Sequence, residues 1–137
     1  MATRRVKPKM QRVTGLGGLF FKARNPQKLY AWYEKHLGLK REPENGVMFR
    51  WREDNDRREP GCTVWSIFPR DTLYFRPSRA SFMMNFRVDD LDGLLEALKR
   101  EGVKIDPRRE DYDYGRFAWI MDPEGNRIEL WEPPKNK

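Results

Sequence analysis

The sequence contains one cysteine, Cys62, and one histidine, His36. A single cysteine excludes an intramolecular disulfide and most thiolate metal clusters, which suits a reducing compartment, and we expect a cytoplasmic protein. Neither a Ser-His-Asp set nor a Cys-His pair can be built from one histidine and one cysteine that lack partners. No apolar run approaches the ~18 residues of a membrane span, and the N-terminal residues lack the apolar core of a secretion signal.

The net charge of +7 is concentrated at the two ends of the chain. The first twelve residues contain lysine and arginine but no acid, and the last three add two lysines. Residues 13–134 carry equal numbers of acidic and basic side chains, whereas a nucleic-acid-binding domain usually has a basic face on its folded part. We therefore predict a flexible basic leader over residues 1–12 and a short tail over residues 135–137, and nucleic acid is not an expected partner.

An internal repeat is the most informative pattern in the chain. Residues 19–38 and 84–102 each begin with an alternating apolar run, reach Asn25 or Asp90, become helical and stop at a glycine. Asn25 and Asp90 are typical N-caps, and a proline follows the first of them at the position that favours helix initiation.

Strand-like runs follow each helix, so the predicted element order is βαβββ, and it occurs twice in the chain. This order includes short strands near residues 39–41 and 103–105, and a charged loop over residues 52–59 of the first half. We predict one domain over residues 13–134, with modules at about 13–69 and 81–134 joined by the segment Pro69–Ser81.

Strand phase assigns side chains to the two faces of the predicted sheet, because alternate residues of a strand point to opposite sides. Met84 and Phe86 are apolar and should pack on the helices, so their neighbours should form the other, concave face. An aromatic surface that holds a few charged groups is typical of a small-molecule site. The side chains assigned to the concave face include Phe20, Lys22, Trp65, Asn85, Arg87, Arg127, Glu129 and Trp131.

Two stretches within the repeat carry a family resemblance. The strand-to-helix step over residues 86–92 and the ending D-P-E-G-N-R-I-E-L-W over residues 122–131 resemble the vicinal oxygen chelate superfamily. That superfamily contains glyoxalases, bleomycin-resistance proteins and extradiol dioxygenases. The resemblance covers residues 13–134 and implies an α+β fold, in which two βαβββ modules form a U-shaped mixed sheet with the helices on its convex face. It also implies a ligand or metal on the concave face and, often, a dimer.

A homodimer is the expected oligomeric state. A curved sheet with open edges and an apolar concave face is difficult to cover with a single chain of 137 residues.

The resemblance places four metal-ligand positions on Gly18, Trp65, Met83 and Glu129. Glycine has no side chain to coordinate, indole is only a donor, and a thioether is a poor ligand for hard divalent ions. No cofactor is therefore predicted, and Glu129 is the only retained candidate for a divalent metal. Glu129 has two other interpretations: an ion pair with a neighbouring basic residue, or a ligand anchor or general base.

The segment over residues 110–116 is predicted as a loop that resembles the stretch running over the pocket mouth in relatives. Tyr112 and Tyr114 could then close over a ligand, and Arg116 could hold a carboxylate or phosphate. The alternative is a surface loop with local charge pairs.

The predicted function is binding of a small aromatic or anionic molecule on the concave face without the usual metal centre. The alternative is an enzyme of the same superfamily, of lyase, isomerase or dioxygenase type, that uses Glu129 as metal ligand or general base. The predicted ligand-binding residues are Phe20, Lys22, Trp65, Asn85, Arg87, Tyr114, Arg116, Arg127 and Trp131, and Glu129 is the catalytic candidate.

Overall fold

The described part of the chain, residues 12–43, 45–51 and 61–134 of a computed structural model, forms seven strands and two helices. The predicted leader up to residue 11, the predicted loop over residues 52–59 and the tail lie outside the described residues. The elements are β1 (Gly15–Ala23), α1 (Pro26–Leu37), β2 (Val47–Arg50), β3 (Cys62–Pro69), β4 (Phe82–Arg87), α2 (Leu91–Arg100), β5 (Lys104–Tyr112), β6 (Gly115–Met121) and β7 (Arg127–Glu132).

Both helices begin at the predicted caps. The Asn25 side chain accepts a hydrogen bond from the Lys28 backbone N–H at 3.1 Å, and Asp90 accepts from the Gly93 N–H at 3.1 Å. Each cap satisfies one of the N–H groups that a first helical turn leaves without a partner. At the other end of α1, Gly38 adopts φ +72°, the left-handed conformation that glycine accepts without strain.

The seven strands form one mixed sheet in the order β2-β3-β1-β4-β7-β6-β5. The parallel pair β1–β3 in the first module has its counterpart in the parallel pair β4–β7 of the second. The antiparallel pair β1–β4 joins the two modules at the centre of the sheet. The predicted α+β fold is confirmed.

The first module differs from the prediction, because residues 39–41 form no strand and the described order there is βαββ. The segment instead leads from the end of α1 into a turn: the Leu39 N–H bonds to the Tyr33 carbonyl, and the Glu42 N–H bonds to the Gly46 carbonyl. Arg41 also donates from Nε to the Asn45 carbonyl at 2.9 Å. Backbone groups that are satisfied within a turn are not available to extend a sheet.

The predicted loop over residues 110–116 is also wrong. The short strand predicted near residues 103–105 extends to Tyr112 as β5, and only Asp113 and Tyr114 separate it from β6. β5 lies at the edge of the sheet, where alternating charged residues are tolerated, and its register shifts between Ile105 and Arg109. Pro107 lies inside that irregularity, because proline has no N–H to donate to a ladder.

The helices pack on one face of the sheet. Trp65 contacts Phe21 of β1 and the Tyr33 ring of α1. Leu91 and Leu94 of α2 pack with Leu130 of β7. This convex face follows the predicted strand phase in the second module.

The concave face is partly covered by residues 70–81, which were predicted only as a link between modules. Phe75 is fully buried there in a cluster with Phe20, Met83, Phe117 and Trp119. The link therefore contributes to the core and defines how much of the concave face stays open.

Candidate ligand-binding site

Glu129 is a buried carboxyl group at the centre of the concave face, with 2% of its surface exposed. Its Oε1 accepts a hydrogen bond from Asn85 Nδ2 at 2.6 Å, and its Oε2 accepts from Trp119 Nε1 at 3.0 Å and from the Tyr74 hydroxyl. Burial raises the pKa of Glu129, and the hydrogen bonds from Tyr74, Asn85 and Trp119 act in the opposite direction. The carboxyl group is thus held by neutral donors.

Strand register explains two of these donors. The parallel pairing of β4 with β7 places Asn85 opposite Glu129, and the antiparallel pairing of β6 with β7 places Trp119 opposite the same residue. Side chains that lie opposite each other on one face are close enough to bond. The local strand pairing therefore builds this part of the site.

Tyr74 reaches Glu129 from the segment that crosses the concave face. Its ring stacks on Phe68 at a centroid distance of 5.7 Å and an interplanar angle of 10°. Burial and then the nearby charge of Glu129 raise the pKa of the Tyr74 phenol, so that the hydroxyl stays protonated and donates.

Asn85 is oriented by its partner. A carboxylate only accepts, so Asn85 must turn its NH₂ group toward Glu129, and its Oδ1 is then buried without a hydrogen-bond partner. Gly17 faces that oxygen, and a Cβ at Gly17 would overlap it. The glycine leaves the room that this amide orientation needs.

A cleft of about 450 Å³ opens between the two modules and reaches Glu129 and Tyr74. The first module contributes Phe20, Val64 and Phe68, while the second contributes aromatic residues of the β5–β6 hairpin. The remaining lining residues are Tyr30, Arg41, Asn45, Gly46, Ser66, Ile67, Glu110, Tyr112, Tyr114 and Phe117.

The charged lining of the cleft consists of Glu110, Glu129 and Arg41. The Arg41 guanidinium lies 4.2 Å from the centre of the Tyr30 ring and bonds to a backbone carbonyl. Glu110 in turn pairs with Arg108 at 3.1 Å, so its charge is balanced beside the cleft, and Glu129 is held by neutral donors.

Stacked aromatic rings form the wall of the cleft on the second module. The rings of Tyr112 and Tyr114 stack at 5.0 Å and 10°, and both side chains are about half exposed. Phe117 lies beside them and stacks on Trp131 at 6.2 Å and 5°. Trp131 Nε1 donates to the Tyr114 carbonyl at 3.0 Å, which holds the hairpin tip against the wall.

Several predicted site residues lie on the concave face but outside the lining of the cleft. Lys22 lies above the Phe75 ring, with Nζ 5.5 Å from its centre. Arg127 donates to Asp106 Oδ2 at 2.8 Å and is otherwise buried over the Trp119 ring.

Arg87 is also engaged elsewhere. Its guanidinium carbon lies 5.2 Å from the ring centres of both Trp51 and Trp131, which places the charge between two indoles. Of the predicted residues, Phe20, Tyr114 and Glu129 line the cleft directly, and Asn85 and Trp131 support its walls.

The predicted position of Trp65 on the concave face is wrong. The register of β1 with β3 pairs Trp65 with Leu19, so its indole lies on the convex face, 4.7 Å from the Tyr33 ring. Val64, Ser66 and Phe68, which alternate with Trp65 along β3, line the cleft instead. The strand has large apolar residues on both faces, so alternation alone did not define its phase.

The predicted position of Arg116 at the pocket mouth is also wrong. Arg116 lies opposite Glu132 in the β6–β7 pair and approaches Asp92 of α2 at 3.4 Å, so it faces the helix side. The cause is the extension of β5 and β6, which converts the predicted loop into regular strands with a defined alternation.

Sequence reasoning missed Tyr74 and Trp119 as partners of Glu129. Trp119 could have been found from the alternation of β6, in which it shares a face with Phe117. Tyr74 had no such signal, because it belongs to a segment without regular periodicity.

The side chains at the metal positions implied by the resemblance do not fit a metal centre. Gly18 and Met83 supply no hard ligand, and Trp65 lies on the other face. Glu129 remains, but both of its oxygens already accept hydrogen bonds from neutral donors. Across the described residues, no group of three or more histidine, cysteine or acidic side chains is placed to hold a metal ion.

No helix within the described ranges is long and apolar enough to cross a membrane.

The solved structures most similar to this chain include metabolic enzymes. A methylmalonyl-CoA epimerase from Mycobacterium tuberculosis is 20% identical, with a TM-score of 0.64 over 94% of each chain. A methylmalonyl-CoA epimerase from Streptomyces coelicolor is 14% identical, with a TM-score of 0.65 over 90% of this chain and 99% of that one. A 2,3-dioxygenase from Pseudomonas sp. KL28 is 22% identical, with a TM-score of 0.61 over 93% of this chain and 43% of that one. At these identities the similarity shows the fold.

No functionally curated protein matches the chain significantly. The sequence model of the Glyoxalase/Bleomycin resistance protein/Dioxygenase superfamily matches residues 20–130, most of the chain. The chain therefore belongs to the glyoxalase, bleomycin-resistance protein and dioxygenase superfamily.

Proposed function

We propose that the protein binds a small planar molecule in the cleft without a metal ion. The observation that carries the proposal is the cleft itself, about 450 Å³ in volume, with stacked aromatic rings along one wall and a buried carboxyl group among its lining. This combination of apolar walls with a few placed polar groups is the usual form of a small-molecule site.

The proposal that no metal takes part follows from the donors around Glu129. A divalent ion would need an oxygen of Glu129 that is free to coordinate, together with further oxygen, nitrogen or thiolate ligands nearby. Asn85 and Trp119 instead present N–H groups to the carboxyl group, and the positive hydrogen of each N–H group would repel a cation. Glu129 is thereby suited to accept a hydrogen bond from a ligand or to hold the site together.

The charged lining favours a neutral or cationic aromatic ligand. Glu110 and Glu129 lie in the lining with Arg41, while Arg87, Arg116 and Arg127 are engaged outside the cleft. Arg108 balances Glu110 at 3.1 Å and Arg41 already bonds to a backbone carbonyl, so the lining offers an anionic ligand little free positive charge, whereas a ligand that donates hydrogen bonds complements the carboxyl oxygens. The proposed ligand is therefore aromatic, as in the interpretation from sequence, but carries a hydrogen-bond donor where that interpretation allowed an anionic group.

Tryptophan fluorescence tests the proposal, because Trp119 and Trp131 adjoin the cleft. The probes are compounds with the same aromatic ring that carry an amine, an alcohol or a carboxylate. The amine and the alcohol should quench the tryptophan fluorescence at lower concentrations than the carboxylate. Tyr114→Ala should weaken binding of the best of these compounds by roughly tenfold through the loss of stacking. Phe49→Ala is the matched control, because Phe49 is exposed to a similar degree but does not line the cleft.

The proposal fails if Tyr114→Ala and Phe49→Ala bind the probe equally well. It also fails if the compound with the carboxylate binds most tightly, since the carboxyl groups of the lining should favour a ligand that donates hydrogen bonds.

Proton transfer by Glu129 is a second candidate function, which the raised pKa of this cleft-lining carboxyl group favours. A general base must reach a proton on the ligand, and an acidic carbon–hydrogen bond is the usual target in isomerisation. Deuterium incorporation into a cleft-binding carbon acid in heavy water, abolished in Glu129→Gln, would support this function. Binding without exchange in the native protein would reject it.

We also propose a homodimer, supported by exposed apolar side chains on the first module. Leu16 and Leu19 of β1 are each more than a third exposed, as is Leu37 of α1. Light scattering should give twice the mass of the chain, and a monomer mass at tens of micromolar would contradict the proposal.

A further inference from the structure

A second hollow, about 370 Å³ in volume, lies where β1 ends and shares no lining residue with the cleft. We call it the basic hollow, because the described residues that line it include four basic side chains and no acidic one. Its lining residues are Lys22, Ala23, Arg24, Arg70, Arg79 and Ser81.

The four basic side chains of the hollow have no acidic partner among the residues that the structure describes. Several arginines elsewhere are paired with acids, such as Arg12 with Glu101 at 2.7 Å and Arg127 with Asp106 at 2.8 Å. Unpaired like charges that line one hollow create a positive potential that attracts anions. The hollow therefore concentrates four such charges around one concave surface.

Strand topology brings these residues together. β1 and β3 are parallel neighbours, and Ala23 lies opposite Pro69, so Arg24 and Arg70 leave the same end of the sheet. The Lys22 N–H bonds to the Ser81 carbonyl at 2.9 Å, which holds the end of the 70–81 segment against β1. Helix α1 begins close by and has no acid in its first turn, so its positive end adds to the potential.

A smaller apolar hollow adjoins the basic one and shares Ala23 and Arg24 with it. Its lining adds Asn25, Lys28, Leu29 and Trp32. Trp32 is 50% exposed, although its ring contacts Tyr33 at 5.2 Å and His36 at 4.9 Å. The ring offers a flat surface beside the basic hollow, on which a planar group could stack.

We propose that the two adjoining hollows form a binding site for a phosphorylated small molecule with a planar ring, of the nucleotide class. The phosphates occupy the basic hollow, where arginine side chains donate paired hydrogen bonds to phosphate oxygens. The ring lies against Trp32. This site is independent of the cleft, and its failure would leave the function proposed for the cleft untouched.

Binding of adenosine triphosphate to the full chain, measured by calorimetry at low ionic strength, tests the proposal. Arg70→Ala combined with Arg79→Ala should weaken binding by at least roughly tenfold, from the loss of charge-assisted hydrogen bonds. The matched control is Lys99→Ala with Arg100→Ala, which removes the same charge from exposed positions at the end of α2. This control should bind like the native protein.

Two further probes separate the parts of the site. Trp32→Ala should weaken adenosine triphosphate binding but leave tripolyphosphate binding unchanged, because only the nucleotide has a ring to stack. The proposal is overturned if both double variants lose affinity equally, since general charge would then explain binding. It is also overturned if neither compound binds at millimolar concentration, or if a mixed-sequence oligonucleotide binds more tightly at the same residues.

Discussion

Replacement of Tyr74 by phenylalanine removes the hydroxyl that donates to Glu129 and leaves the rest of the side chain in place. The ring can keep its stacking on Phe68, so the change isolates one hydrogen bond. Glu129 then retains Asn85 and Trp119 as donors. Because a hydrogen bond to a charged group contributes about 1.5–3 kcal/mol, Tyr74→Phe should lower the free energy of unfolding by that amount at alkaline pH.

The size of this loss should depend on pH. Burial raises the pKa of folded Glu129 above its value of about 4.3 in the unfolded chain, so the folded state binds more protons between these two values. Stability of the native protein therefore falls as the pH rises through that interval. The hydrogen bond from Tyr74 opposes the shift, so its removal raises the folded pKa further and extends the fall over a wider range of pH.

Urea unfolding at about pH 4.5 and about pH 8 measures both effects. Tyr74→Phe should destabilise the protein more at the higher pH, and at the lower pH by only about 0.5–1.5 kcal/mol, the range for a neutral hydrogen bond. Tyr112→Phe is the control, because the Tyr112 hydroxyl bonds to Glu110 at the exposed hairpin. Equal losses for both variants, or a larger loss for Tyr74→Phe at the lower pH, would refute this account of the buried carboxyl group.

Three further changes probe the same architecture. Glu129→Gln should remove the fall of stability with rising pH above about 4.3, because no desolvated charge then forms. Rotation of the Asn85 amide would let its unpartnered oxygen accept a hydrogen bond from the new NH₂ group. Urea unfolding measured over a range of pH checks this prediction, and an unchanged dependence of stability on pH would contradict it. Trp65→Ala should lower the free energy of unfolding by about 3 kcal/mol without altering ligand binding in the cleft, since its indole packs on α1. Loss of ligand binding in a variant that still folds would indicate that Trp65 lies on the concave face after all. Gly17→Ala should lower the free energy of unfolding by about 1–3 kcal/mol, because its Cβ overlaps Asn85 Oδ1. A thermal unfolding midpoint equal to that of the native protein would show that the amide can move.

The candidate site was predictable where it depends on neighbouring strands with clear alternation. Phe20, Asn85 and Glu129 lie on the concave face as their strand phases indicate, because their strands pair directly with one another and keep a common alternation. Trp65 was misplaced because β3 is apolar on both sides, and its phase is decided by pairing with β1. A local pattern cannot report a register that depends on a distant strand.

The hairpin at the end of the second module shows a similar limit. The charged residues of β5 suggested a loop, since their alternation carries no apolar face. Pairing with β6 satisfies the backbone of this segment, and its edge position leaves the charges in solvent. Arg116 thereby points to Asp92 on the helix side and not to the cleft.

The sequence by itself determined the repeated module, the two helix caps and the family, because capping and alternation are encoded within a few neighbouring residues. Tertiary structure alone decided that residues 70–81 cross the concave face, that Tyr74 completes the partners of Glu129, and that Arg24 and Arg70 share a hollow. Those contacts join residues far apart in the chain. They form only when strand pairing and core packing bring distant segments together, so no local pattern contains them.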